Sequence, residues 1–514
     1  MGRFTFRFWL KIAIALALAA GVAWYFRTAQ PLVVLAEVLL SFNLFIFVHE
    51  LGHFLAAKWR GLVIERFALW FGKPLWKKRI GGVDWILGSI PAGGYVALPQ
   101  MAPMEAIEGG GAGGDIAREN LPPISVLDKA IVAFAGPLFS MGLALVFSCL
   151  VWAVGRPLGE GDSTTVVGYV EENSPASRAG LQAGDKILSI DGHPVDRFSG
   201  MKATSITWRI VSSEGETIAF EVARPGQAAP LRFDVVPEIP KGSVFQRKAL
   251  RQIEIWPAIT PIVAKVFPGG PAARAGIRAN DEVVSVNGER LFSTAALGGY
   301  MAAHPGELRL VVVRGGEKQP QTISMTPEIP VGQKEYRIGL VWDPHGKMGL
   351  IFPTPLEQVR DTVDSMKNTL GSVFSPKSGI GAQHLSGPIG ILRYLYILFV
   401  SQDGWRLVLW FSVFLNINLA IMNLLPIPIL DGGHIVMAVI EAIRRRPLSL
   451  RTLEFVNSAC AAVVIGFLAY VTFFDLQDLP WKRHAKEAAP SEMKFAPEPA
   501  AAPATPSAPA QPKP

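Results

Sequence analysis

From Pro31 to Ala57 the chain reads PLVVLAEVLLSFNLFIFVHELGHFLAA, an apolar run long enough as a helix to cross a bilayer core of about 30 Å. In lipid such a run must be helical, because each backbone polar group has to find its partner within the segment. Its last third carries His49, Glu50 and His53. The histidines are four residues apart, so a helix sets both on one face, where both imidazoles reach one metal ion. Glu50 follows the first of them, where a carboxylate takes a proton from metal-bound water. An ionisable residue at membrane depth costs roughly 2.5–3.5 kcal/mol on the insertion scale, so three together mark a working site. The plain alternative is a helix end with interfacial histidines.

The rest of the 514 residues divides between lipid and water. Half are hydrophobic, 18% are charged, and mean hydropathy is +0.31, which is high for a soluble protein and low for a bare bundle of spans. The formal charge of +7 lies mostly beside apolar runs, which favours an orientation signal over nucleic-acid binding. Cys149 and Cys460 each fall in an apolar stretch, which argues against a disulfide framework. Four core transmembrane helices are expected, at 31–62, 130–155, 405–432 and 455–475. Residues 1–30, apolar from Phe8 to Phe26, are either an extra span or a cleaved signal. Lys58, Arg60, Arg66, Lys73, Lys77, Lys78 and Arg79 follow the histidine span, and Arg444, Arg445, Arg446 and Arg451 follow the third span. Both of these ends therefore read as cytoplasmic, with the metal motif near that side.

Residues 63–99 place FALWFGKPLW and VDWILGSIPAGGYVAL around a Gly81-Gly82 turn, which reads as one or two membrane-associated β-hairpins beside the metal. An exposed edge there, at Gly93, Gly94 and Tyr95, suits an unwound peptide by strand addition; a packing hairpin without substrate is the other reading. Residues 100–129 read as a glycine-rich flexible loop before the second span. The composition then turns soluble, and a repeat with a constant offset of 96 residues appears. Pro175-Ala176-Ser177-Arg178-Ala179-Gly180-Leu181 returns as Pro271-Ala272-Ala273-Arg274-Ala275-Gly276-Ile277, and Ile190-Asp191-Gly192 as Val286-Asn287-Gly288. The copies, 165–238 and 258–328, resemble the circularly permuted PDZ domain of bacteria. They either bind extended peptides or serve as spacers and steric filters.

Residues 353–400 hold an amphipathic stretch, Pro355 to Phe374, and the segment Ser386-Gly387-Pro388-Ile389-Gly390-Ile391. The third span runs into FLNINLAIMNLLPIPILDGGHI, where Pro426 and Pro428 break the helix before Asp431. A carboxylate at this depth, on the same side as the histidine pair, suits a third ligand with the fourth position left to water; a helix N-cap is the other reading. Asn423 is placed to bind a substrate backbone, and His434 fits a capping or interfacial role. His193, His304, His345, His384 and His484 show no ligand spacing. Residues 482–514, rich in Pro and Ala, read as a disordered tail.

Together, His49-Glu50-Leu51-Gly52-His53, Pro91-Ala92-Gly93-Gly94-Tyr95-Val96, the two PDZ-like copies, Ser386-Gly387-Pro388-Ile389-Gly390 and Asn423-Leu424-Leu425-Pro426-Ile427-Pro428-Ile429-Leu430-Asp431-Gly432 resemble the bacterial site-2 proteases of the RseP type over roughly residues 35–475. The resemblance implies a multi-pass α-helical membrane protein with two extracytoplasmic PDZ-like α+β domains, seated in the bacterial inner membrane. It implies a zinc enzyme, with His49, His53 and Asp431 as ligands and Glu50 as base. Its substrates would be transmembrane helices of other proteins, trimmed beforehand by another protease, such as anti-sigma factors or signal-peptide remnants. The Pro/Ala tail and the N-terminal run lie outside that pattern. The alternative is a PDZ-containing membrane scaffold or chaperone without proteolytic activity, for which a third ligand at matching depth would serve no purpose.

Overall fold

The computed structural model describes residues 30–101, 121–122, 124–240, 242, 246–315, 319–446, 450–479 and 493–495. The N-terminal run at 8–26, most of the glycine-rich stretch and all of the tail except 493–495 lie outside the described residues. The helices of the apolar body are, in chain order, α1 (Gln30–Arg60), α2 (Val126–Val154), α3 (Pro355–Phe374), α4 (Pro388–Val400), α5 (Gly404–Asn423), α6 (Asp431–Arg444) and α7 (Leu450–Gln477). Of these, α1, α2, α5 and α7 are long and apolar enough to cross a membrane. Their outer faces carry the residues lipid would solvate: Leu40 on α1 and Phe455 and Val463 on α7 are each more than 70% exposed.

Helix α2 is the centre of the body, packed on α1, α5 and α6. Ser125 starts it with a capping box, accepting from the Asp128 N–H while the Asp128 carboxylate accepts from Ser125 N–H. Pro137 sits inside a helix that continues on both sides. Val34 and Val38 of α1 share a core with Leu395 and Leu398 of α4 and with Val408 and Phe411 of α5. Helix α3 buries Gln358, Thr362 and Ser365, and the Gln358 amide donates to the Ser148 carbonyl at 3.0 Å. Val359 and Val363 pack against the core shared by α2 and α5, while Arg360, Asp364, Lys367, Leu356 and Phe374 are exposed.

The region after α1 is one four-stranded sheet and not a pair of separate hairpins. Its strands are β1 (Arg66–Phe71), β2 (Trp76–Ile80), β3 (Val83–Leu87) and β4 (Ile90–Ala97), in the order β2-β3-β1-β4. A Gly81-Gly82 turn makes the β2–β3 hairpin, but β1 then inserts parallel to β3 and antiparallel to β4. The reason is burial. Phe67 and Ala68 make β1 the apolar centre that needs a partner on each side, whereas every residue of WKKRI in β2 is exposed and suits an outer edge.

The two repeat units have the same strand order. The first runs Leu231–Val235, Ile218–Ala223, Lys186–Ile190, His193–Pro194; the second runs Gln321–Met325, Leu308–Val313, Glu282–Val286, Glu289–Arg290. Each encloses its own apolar core. Each also buries one aspartate, which an arginine grips with two nitrogens: Arg224 on Asp185 at 2.7 and 2.8 Å, and Arg314 on Asp281 at 3.0 Å twice. A charge buried that deeply has to be paired. A further strand closes each unit beyond the stretch where the repeat is legible, Ile255–Pro257 on Val167–Val170 and Leu340–Trp342 on Val263–Val266.

Candidate metal centre

His49 and His53 project from one face of α1, and Asp431 opens α6. All three are buried. His49 Nε2 lies 3.3 Å from Asp431 Oδ2, His53 Nε2 lies 3.3 Å from Asp431 Oδ1, and the two Nε2 atoms are 3.3 Å apart. Among the described residues this is the one group of three or more His, Cys, Asp or Glu side chains able to hold a metal ion.

Helix α2 fixes the two rings. His53 Nδ1 lies 2.8 Å from the Val132 carbonyl, and His49 Nδ1 lies 3.0 Å from Ser140 Oγ. Between them, a Cβ on Gly136 would stand 2.2 Å from His53 Nε2, so the ring occupies the space a side chain would need. Val132, Gly136 and Ser140 recur every four residues, matching the spacing of the histidines they serve.

This hydrogen bonding decides what His53 Nε2 can do. A carbonyl only accepts, so His53 carries its proton on Nδ1 and turns a lone pair inward at Nε2. Asp431 Oδ2 is buried without a hydrogen bond of ordinary geometry. The His53 Nε2 lone pair thus faces the Asp431 carboxylate, an arrangement that a cation relieves. Ligands about 2.0–2.2 Å from a tetrahedral ion stand about 3.3–3.6 Å from one another, and all three separations here meet that spacing. The residues fit zinc.

The loop before Asp431 brings it into range. Helix α5 ends at Asn423, and the chain turns through Leu424–Leu430 before α6 begins. A Cβ on Gly432 or Gly433 would stand 2.3 Å from the Leu424 carbonyl or 2.2 Å from that of Ile427, so the glycine pair lets this turn fold against the start of α6. His434 is buried one turn in and is outside the three-residue group. Asn423 Nδ2 comes within 3.4 Å of His49 Nε2, which puts its amide at the site.

Strand β4 forms the other wall. A Cβ on Gly94 would stand 3.0 Å from both Glu50 Cγ and Ile46 Cγ2. Gly93 has φ +74, and its Cβ position lies 2.3 Å from the Phe71 ring, so it shapes the strand. The Tyr95 side chain is buried and stacked on Phe71 with centroids 6.1 Å apart, which leaves its backbone as the part that could meet a ligand. The sheet is also tied to α1 by Trp70. That residue sits at φ +70 in the β1 bulge, and its indole N–H donates to the Asn43 side chain.

Sequence reasoning did not find Val132, Gly136, Ser140, Asn43 or Trp70. The available signal was Gly136 and Ser140, a small and a polar residue four positions apart in an apolar span.

A family model described as peptidase family M50 matches residues 37–467. "Protease RseP" of Yersinia pestis is 27% identical over 473 residues, covering 87% of this chain and 98% of the relative. "Regulator of sigma-E protease RseP" of Escherichia coli (strain K12) is 26% identical over 470 residues, covering 87% and 98%. A "Putative zinc metalloprotease" of Xylella fastidiosa is 27% identical over 457 residues, covering 84% and 97%.

Proposed function

This chain belongs to peptidase family M50, the site-2 proteases, and on that premise we propose that His49, His53 and Asp431 hold its zinc and that Glu50 is its base. The protein is an intramembrane zinc metalloprotease. The assignment of ligands rests on one observation, buried ligand atoms from three side chains at 3.3 Å spacings. Zinc bound there supplies a Lewis acid that polarises a carbonyl and lowers the pKa of the attacking water.

The chain's own groups do the rest. Glu50, next to the first ligand, takes a proton from that water and returns it to the leaving amine. A substrate helix hides its carbonyls in i to i−4 bonds and has to unwind before it is cut. Strand β4 ends the order β2-β3-β1-β4, so its far edge is unpaired within the sheet. The backbone of Gly93, Gly94 and Tyr95 receives the unwound strand there, and the Asn423 amide holds its backbone from the opposite side.

The substrates are transmembrane segments of other proteins, already trimmed by a first protease. Anti-sigma factors and signal-peptide remnants are the classes we favour. The enzyme lies in the bacterial inner membrane, with both PDZ-like units outside the cytoplasm and the metal near the cytoplasmic side. The basic run that follows α1 supports that orientation, and two ion pairs mark the same end of the bundle as polar, Arg60 with Asp128 and Lys129 with Glu441, each at 2.6 Å. A scaffold would have no need of the third ligand that α6 delivers.

Glu50→Gln tests the mechanism. The variant should keep zinc and lose cleavage of a co-expressed transmembrane reporter, and undiminished cleavage would remove Glu50 from the reaction.

A further inference from the structure

We propose that the second repeat unit carries a slot for an aromatic side chain on an extended peptide, and that this chain's own segment Met493–Lys494–Phe495 occupies it. The floor of the slot is a pair of glycines. A Cβ on either Gly270 or Gly339 would stand 2.9 Å from a ring carbon of Phe495, so the ring lies across both. One residue back, the Lys494 carbonyl accepts from the Val331 N–H at 2.9 Å. Side chain and backbone of the segment are therefore both engaged, as in peptide recognition by an extended strand.

The first unit shows that this floor is particular to the second. The bonds Glu171 N–H to Glu254 O and Ala176 N–H to Ile253 O have counterparts in Phe267 N–H to Gly339 O and Ala272 N–H to Ile338 O. That match makes Ser174 the equivalent of Gly270 and Glu254 the equivalent of Gly339. Ser174 caps its helix by accepting from the Ser177 N–H, and Gly270 makes no such bond. Gly270 has φ −79 and ψ 163, which any residue adopts, so its backbone does not call for glycine. The ring above it does. Where the second unit is bare, the first has two side chains.

The segment can reach the slot. Arg247, in the connection between the two units, pairs with Asp475 at 2.8 Å and Asp478 at 2.9 Å at the end of α7. The end of α7 thus lies beside the connection between the units. Leu479 and Met493 are 14 positions apart, a reach of up to about 46 Å when extended. The Lys494 carbonyl bond and the partly buried Phe495 ring are holds of a kind that a free peptide can match, and Ile329, Val331 and Tyr336 stay exposed nearby. An extended peptide with an aromatic residue displaces it, against a tethered competitor at an effective concentration on the order of millimolar. The slot is independent of the metal centre.

The test uses full-length protein in detergent and a fluorescent peptide of sequence APSEMKFAPEP, residues 489–499. The peptide should bind the Phe495→Ala protein at least about tenfold more tightly than wild type, because the tail no longer competes. The same peptide with its Phe replaced by Ala should bind neither. Equal affinity for the two proteins, binding to neither, or undiminished binding of the Ala peptide would overturn the proposal. In a second measurement, Val331→Cys combined with Lys494→Cys should form an intramolecular disulfide under mild oxidation, and failure to form it would show that the tail is not docked there.

Discussion

A methyl group on Gly136 would stand 2.2 Å from Nε2 of His53, the atom that turns toward Asp431. The helix next to the metal motif is therefore shaped around one imidazole. Gly136→Ala should improve local helix propensity by up to about 1 kcal/mol, yet it drives the ring off its position. We expect zinc content well below one per chain, with the fold intact by circular dichroism. Full zinc occupancy in that variant would show that α2 gives way to the ring.

Ser140 acts one turn further on, through His49 Nδ1 at 3.0 Å. Ser140→Ala leaves every ligand in place and removes the partner that orients one of them. Partners of this kind are worth about 10- to 100-fold in metal affinity, so the variant should give up zinc to a chelator at a correspondingly lower chelator concentration. A chelation curve that overlays wild type would leave Ser140 without a role.

Asp431→Asn replaces the charged group proposed as third ligand with a weak neutral one. Zinc retention should fall sharply, and cleavage of a transmembrane reporter with it. Zinc stoichiometry equal to wild type would take Asp431 out of the ligand set.

Gly94→Val places branched carbon where Cβ alone already meets Glu50 Cγ and Ile46 at 3.0 Å. Zinc content should be unchanged, and reporter cleavage should drop at least about tenfold, since a 1 Å misplacement of a working group costs about 100-fold. Wild-type cleavage would place the substrate away from this strand.

Asp475 accepts from the N–H groups of Gly387 and Gly390 and pairs with Arg247, all while buried at the end of α7. Asp475→Ala strands those donors and an arginine, a loss of about 3–5 kcal/mol. The expected result is a clear fall in the thermal unfolding midpoint in detergent, and an unshifted midpoint would show the clamp to be slack.

Much of this site was legible early for a local reason. Helical periodicity puts His49 and His53 on one face whatever surrounds them, and length and apolarity mark the span that carries them. Basic residues after α1 and α6 placed Asp431 at a matching level, and Pro426 and Pro428 announced the break ahead of it. The sheet was less legible. Its strands show in the pattern of aromatic and branched residues, but the insertion of β1 between β3 and β4 depends on which strand has most to bury. The closing strand of each repeat unit escaped notice because the 96-residue repeat fades before it begins.

The sequence by itself determined the chemistry on offer: a histidine pair with its neighbouring carboxylate in an apolar helix, a distant aspartate at like depth, and two copies of one β-rich unit. Only the tertiary structure decided that Asp431 meets both imidazoles at 3.3 Å, that Val132, Gly136 and Ser140 hold those rings, and that Phe495 lies over Gly270 and Gly339. These contacts join residues from 79 to 382 positions apart. Local periodicity carries no information over such distances, because whether two surfaces meet is set by how whole helices and sheets pack.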